Sequence, residues 1–132
     1  MNCFKNLSVI VLSLFMISGC IKQNIDGEYM FKYIEYGETD NRYTTDCSNE
    51  EELPLKIKTV CSMKNMRMII KDNSYVFYMR EDYPEPGYYK LVGDKMYLSV
   101  SEDGEYKYTG WFHYRDGKIY YGINETYVVL DN

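Results

Sequence analysis

Residues 88–123 read YYKLV GD KMYLSVSE DG EYKYTGWFHYR DG KIYYGI, and this stretch decides the fold. Runs of alternating side chains are broken by Gly93-Asp94, Asp103-Gly104 and Asp116-Gly117. Alternation with a period of two is the pattern of a strand, whose successive side chains point to opposite faces. Gly and Asp tolerate the positive φ of primed two-residue turns, so these dipeptides between alternating runs predict hairpins. The spacing predicts strands over Tyr88–Val92, Lys95–Val100, Glu105–Arg115 and Lys118–Ile123, with Asn124-Glu125 turning into a last strand at Thr126–Leu130. Met96, Leu98 and Val100 align on one face, and Tyr106, Tyr108, Gly110, Phe112 and Tyr114 on another. A glycine inside a strand marks a bulge or bend, which is the expectation for Gly110.

Upstream, Gly27-Glu28 opens a strand in which Tyr29, Phe31 and Tyr33 alternate with Met30, Lys32 and Ile34. Both faces carry apolar residues, so the pattern says strand without naming the inner face. Residues 37–54 are polar and aperiodic and predict a long loop, with a short helix near Ser48–Leu53 because Ser48 and Glu51 fit a capping box. Leu55–Cys61 alternates Leu55, Ile57 and Thr59 with Lys56 and Lys58 and predicts a strand. Further strands are expected at Arg67–Lys71, with Met66, Met68 and Ile70 on one face, and at Tyr75–Arg80, after the turn Asp72-Asn73-Ser74. Glu81–Gly87, with Pro84 and Pro86, predicts a loop. Consecutive hairpins make an antiparallel meander, and about eight strands with open edges must close or fold over. The expected class is all-β: a small up-and-down barrel or a flattened sandwich over residues 27–132.

The N-terminus is of another kind. Lys5 is followed by the apolar run Leu7–Ile17, interrupted only by Ser8 and Ser13, then by Ser18-Gly19-Cys20. The run would make a helix of roughly 16 Å, too short for a hydrocarbon core of about 30 Å and suited to a signal peptide. Ile17-Ser18-Gly19-Cys20 resembles the lipobox of bacterial lipoproteins. The resemblance covers the first 20 residues. It implies cleavage between Gly19 and Cys20, a diacylglyceryl group on the Cys20 thiol, and a lipid-anchored protein of the cell envelope. Small residues beside the bond admit the peptidase, and the thiol is the nucleophile. Ile21, in place of the Asp that retains such proteins at the inner membrane of Gram-negative cells, points to the outer membrane facing the periplasm. Residues 1–19 are then the signal and residues 20–26 a lipidated tether.

The 15 basic and 20 acidic residues give a net charge of −5, and loss of Lys5 with the signal makes it about −6. An acidic chain without a basic stripe is a poor nucleic-acid binder. Cys3 leaves with the signal and Cys20 takes lipid, which leaves Cys47 and Cys61. In an oxidising compartment these predict a disulfide; a zinc site would need other spacing and a histidine nearby.

No catalytic set is visible. The single histidine, His113, falls between Phe112 and Tyr114 in opposite phase, without an evident acid or nucleophile. There is no Gly-x-Ser-x-Gly elbow and no phosphate loop. Glu50-Glu51-Glu52, with Asp40 and Asp46, lacks the ligand spacing of a calcium loop. Asn124-Glu125-Thr126 matches a glycosylation acceptor only by chance in a bacterial setting. No metal and no cofactor are expected. The 16 tyrosines divide into core members and a set expected at the surface, Tyr83, Tyr88, Tyr89, Tyr97 and Tyr120. With Trp111 that set is a candidate recognition patch, against a plainer reading as cross-strand packing.

The meander opened by Gly27-x-Tyr29 resembles lipocalin-like small lipoproteins, with Tyr29 where true lipocalins carry Trp. That resemblance implies a barrel with room for at most one small apolar ligand, lined by Phe77, Met96, Leu98 and Phe112. The expectation is a non-catalytic envelope module binding a protein or envelope component. A carrier of a small apolar ligand is the first alternative. The second is an enzyme inhibitor, by likeness of architecture to lipidated lysozyme inhibitors.

Overall fold

Gly93-Asp94, Asp116-Gly117 and Asn124-Glu125 close tight hairpins as expected, whereas Asp103-Gly104 lies inside a longer connection, residues 100–106, with neither residue at positive φ. The computed structural model describes residues 23–132; the segment expected to be a signal, Cys20 and the first residues of the expected tether lie outside the described residues. Nine strands run β1 (Gly27–Glu38), β2 (Asn41–Thr45), β3 (Arg67–Lys71), β4 (Ser74–Tyr78), β5 (Pro84–Val92), β6 (Lys95–Ser99), β7 (Lys107–Arg115), β8 (Lys118–Ile123) and β9 (Thr126–Asp131). Between β2 and β3 lie a 3₁₀ turn, Glu50–Glu52, and the helix α1, Leu55–Cys61. Gly93 has φ +63°, Asp116 and Gly117 +52° and +77°, and Asn124 and Glu125 +47° and +67°, as primed turns require.

β3 to β9 pair in chain order, every pairing antiparallel, and β1 closes the ring by pairing with β3 through Gly27–Met30 and with β9 through Met30–Glu35. The result is a closed eight-stranded barrel, with β2 as an added strand on Ile34–Glu38 of β1. Closure satisfies the backbone groups an open meander would leave along its two edges.

Two irregularities set which residues face inward. In β1 the register against β9 shifts between Phe31 and Tyr33. The extra residue reverses the alternation: Phe31 and Ile34 pack on the core, while Tyr33 pairs with Val129 outside it. This is why both phases of β1 carry apolar side chains. In β7, Lys95 pairs with His113 and Tyr97 with Tyr108, so residues 109–112 stand opposite Met96 alone. Gly110, at φ +85°, sits in this bulge as expected. The bulge breaks the single face drawn through Tyr106, Tyr108, Phe112 and Tyr114. Phe112 and Tyr114 join the core, and Tyr108 pairs with Tyr97 on the outer wall.

The interior is packed with rings and aliphatic chains. Phe77, Phe112 and Tyr121 touch one another, with centroids 5.0, 5.1 and 5.7 Å apart. Tyr29 meets Tyr114 edge-on at 6.3 Å, an arrangement the ring quadrupoles favour. Met68, Ile70, Met96, Ile119, Val128 and Leu130 complete the core. Met66, Met68 and Ile70 share the buried face expected of them, whereas Val100 lies beyond β6 and is exposed. Gly87 makes room for Tyr75: a Cβ there would lie 2.5–2.8 Å from the ring and hydroxyl.

Several local expectations are corrected. Leu55–Cys61 is helix, not strand. Its period-two alternation is a coincidence of lysines, and the buried stripe is Ile57, Val60 and Cys61, at helical spacing. Residues 37–45, read as the start of a loop, are the end of β1 and all of β2. The 3₁₀ turn falls inside the region expected to be helical, but it is capped at Asn49 and no side-chain capping bond forms, so the Ser48–Glu51 box is absent. β5 begins at Pro84 rather than after Gly87. Pro84 and Pro86 are tolerated because they pair only with β4, β6 reaching no farther along β5 than Tyr88, which pairs with Ser99. The domain also starts before Gly27. Ile25 is buried and its carbonyl accepts from the Tyr29 hydroxyl at 2.6 Å, and Asp26 Oδ1 accepts from the Asp72 amide at 2.9 Å. Residues 25 and 26, expected to belong to a tether, are therefore part of the folded domain.

Candidate functional site

β3 leaves β1 at Met30 and β2 joins it at Ile34, so the edge between them is unpaired by either strand. The segment from Asp46 to Leu53 lies against this gap. Together they bound an open groove of about 730 Å³, lined by Tyr33, Tyr36, Thr44, Asp46, Ser48 and Asn49 among others. The wall is built by local chemistry. Cys47, at φ +68°, is bonded to Cys61 at the end of α1, with Cα atoms 5.8 Å apart. The expected disulfide is therefore present, and it ties the groove wall to the helix. The Cys47 amide donates to Thr45 Oγ1 at 3.1 Å and the Ser48 amide to Asp46 Oδ1 at 2.9 Å. Hydrogen bonds from Ser48 hold the Asp46 carboxyl below the usual carboxylate range. Burial, with Tyr120 nearby, pushes the Tyr33 phenol up, so at neutral pH it is both donor and acceptor. The groove thus offers two aromatic rings, several hydroxyls, an amide, one carboxylate and the Lys32 amine. These are groups that bind and orient a polar ligand.

Arg42 braces the hairpin that forms the groove. Its guanidinium donates to the Gly37 carbonyl at 2.6 Å, the Glu125 carbonyl at 3.0 Å and the Glu35 carboxylate at 3.3 Å, and it lies 5.6 Å from the centre of the Tyr127 ring. One side chain so links β1, β2 and the β8–β9 turn, where Glu125 holds a positive φ.

The tyrosines expected at the surface divide three ways. Tyr83 and Trp111 are exposed, at 65% and 54%. Tyr89 is not: it is 3% exposed, and its hydroxyl donates to the Asp72 carbonyl at 2.9 Å. Burial pushes its phenol up to about 12. Tyr88, Tyr97 and Tyr120 are half-buried. Tyr97 packs against Tyr108 at 5.5 Å and Tyr120 against Tyr127 at 6.2 Å. Cations cover several outer rings: Arg67 over Tyr78 at 3.9 Å, Lys90 over Tyr106 at 4.2 Å and Arg115 over Tyr120 at 4.7 Å. The outer wall is therefore largely cross-strand packing and cation–π contact. Nothing in the sequence order of Lys90, on β5, and Tyr106, just ahead of β7, foretells that pair.

His113 accepts from or donates to the Tyr108 hydroxyl through Nε2 at 2.5 Å, while its Nδ1 is buried without a partner. Burial holds the ring below its ordinary pKa, so it is neutral at pH 7. Its neighbours Asp94, Lys95 and Arg115 do not make a nucleophile–base pair. Glu50 pairs with Lys64 at 3.7 Å. Among the described residues no three His, Cys, Asp or Glu side chains are grouped to hold a metal, and no helix is long and apolar enough to cross a membrane. Comparison of the chain with protein-family models, with curated proteins and with solved structures finds no match.

Proposed function

We propose that the chain is the precursor of a lipid-anchored, non-catalytic binding module of the bacterial cell envelope. Residues 1–19 direct export, Cys20 carries the lipid, and the barrel presents the groove beside β1 and β2 to a protein segment or an envelope component. The observation that carries the anchoring is the ordered series Lys5, apolar run, Ile17-Ser18-Gly19-Cys20, followed within five residues by the first buried side chain of the domain, Ile25. What supports binding is the disulfide-pinned groove with polar and aromatic walls. The contact of Phe77, Phe112 and Tyr121 across the interior speaks against a small apolar ligand held between them.

Two measurements test this. Palmitate labelling in a bacterial host gives a labelled band that Cys20→Ser abolishes, with the precursor accumulating uncleaved; labelling that survives Cys20→Ser refutes the anchor. Crosslinking in the native envelope recovers a partner that is lost when Tyr33→Ala and Asn49→Ala are combined. Equal recovery from the variant removes the groove as the binding surface.

A further inference from the structure

The two ends of the barrel are chemically unlike, and the chain enters at one of them. Ile25 and Asp26 lie beside the β3–β4 turn, since Asp26 accepts from the Asp72 amide and Gly27 pairs with Ile70. The β7–β8 turn is at the same end, because Lys118 pairs with Asp131 near the C-terminus. So is the β5–β6 turn, whose Asp94 carbonyl accepts from the Tyr114 amide. At this end each turn aspartate has a basic residue next to it in sequence: Lys71 beside Asp72, Lys95 beside Asp94, Arg115 beside Asp116. Arg115 also pairs with Asp94 at 3.6 Å. At the opposite end the balance is lost. The 100–106 connection holds Glu102, Asp103 and Glu105 with no basic residue, the turns at Asp40 and Glu125 contain none, and the β4–β5 connection sets Arg80 alone beside Glu81 and Asp82.

We infer that the entry end of the barrel is a membrane-facing base and that the acidic end, with the β1–β2 turn, projects away from the bilayer. This rests on the lipid anchor proposed at Cys20. From Cys20 to Ile25 the chain spans five residues, which reach at most about 17 Å at ~3.4 Å each. The base is therefore held close to the headgroups whatever path those residues take. β1 has 12 residues, about 40 Å of strand at ~3.3 Å per residue and about 30 Å along the axis of a tilted barrel. Asp26 and Asp131 join the three turn aspartates at the base, and Lys118 joins its three basic residues, so the base is nearly balanced and an anionic surface repels it less than the acidic end. The partner of the base is thus a lipid surface.

Energy transfer in vesicles tests the orientation. After lipidation of Cys20 and formation of the Cys47–Cys61 bond, a single added cysteine is the only free thiol. Lys71→Cys at the base and Asp40→Cys at the far end, both exposed, are labelled with a donor on the lipidated protein. The protein is then placed in phosphatidylcholine–phosphatidylglycerol vesicles bearing headgroup acceptors. Transfer from position 71 should exceed that from position 40 at least twofold. Equal or reversed transfer in protein that floats with the vesicles overturns the orientation and leaves the anchor standing. Protein that does not float overturns both. Lys95→Cys and Glu102→Cys repeat the comparison at the same two ends if either first variant fails to fold.

Discussion

Phe112 and Trp111 are neighbours in sequence with opposite environments, and replacing each by alanine tests the bulge that separates them. Phe112 is 3% exposed and its ring contacts Phe77 at 5.0 Å and Tyr121 at 5.1 Å. Phe112→Ala removes the transfer free energy of a buried ring and leaves a hole between two aromatic rings, together about 3–5 kcal/mol. Trp111 is half-exposed on the outside of the bulge, so Trp111→Ala should cost below about 1 kcal/mol. A domain of about 110 residues has an unfolding entropy near 0.23 kcal/mol/K, so a loss of about 4 kcal/mol lowers Tm by roughly 17 °C. The assay is thermal and urea unfolding of the domain from Gln23 onward, followed by circular dichroism, with the denaturant slope compared among the three proteins. A Phe112→Ala loss below about 1 kcal/mol would refute the inward placement of Phe112. So would a Trp111→Ala loss as large as that of Phe112→Ala, because residues 109–112 would then not bulge as described.

Three further outcomes are expected. Reducing the Cys47–Cys61 bond, which joins positions 14 apart, should lower stability by about 3 kcal/mol in the chain-entropy model; an unchanged urea midpoint with dithiothreitol would contradict it. Gly87→Ala should destabilise by about 1–3 kcal/mol through collision with Tyr75, and the double variant Gly87→Ala, Tyr75→Leu should recover part of that loss. His113 is held neutral by burial in the folded state, so below its unfolded pKa of about 6.5 the unfolded chain takes up a proton that the folded chain refuses. Its contribution therefore falls as pH drops from 6.5 towards the lowered folded value. His113→Gln should flatten the stability profile over that window, and an identical profile would remove His113 as its source.

Much of the barrel is legible in local pattern. Gly93-Asp94, Asp116-Gly117 and Asn124-Glu125 turn because a few residues suffice to set the backbone φ of a hairpin, and the strands between them alternate. The insert is less legible. In Leu55–Cys61 the lysines at 56 and 58 imitate a strand, and only the 57–60–61 spacing, with Pro54 ahead of it, signals the helix. Tyr89, expected at the surface, lies inside because β5 faces its odd positions, Gly87, Tyr89 and Leu91, inward. The groove was not legible at all: Tyr33, Thr44 and Asn49 converge only because β2 and β3 share one edge of β1.

By itself the sequence determined the antiparallel meander, the pairing of Cys47 with Cys61, and the expectation that Cys20 carries lipid. Each of these depends on residue type within a short stretch, or on having no competing partner. Only the tertiary structure decided that the meander closes as a barrel, that β1 and β7 change phase, and which tyrosines lie inside. A bulge of one residue reverses every side chain beyond it. In β1 its position depends on the register against β9, so no local pattern contains it, and in β7 Gly110 marks the bulge but not the extent of the shift against β6.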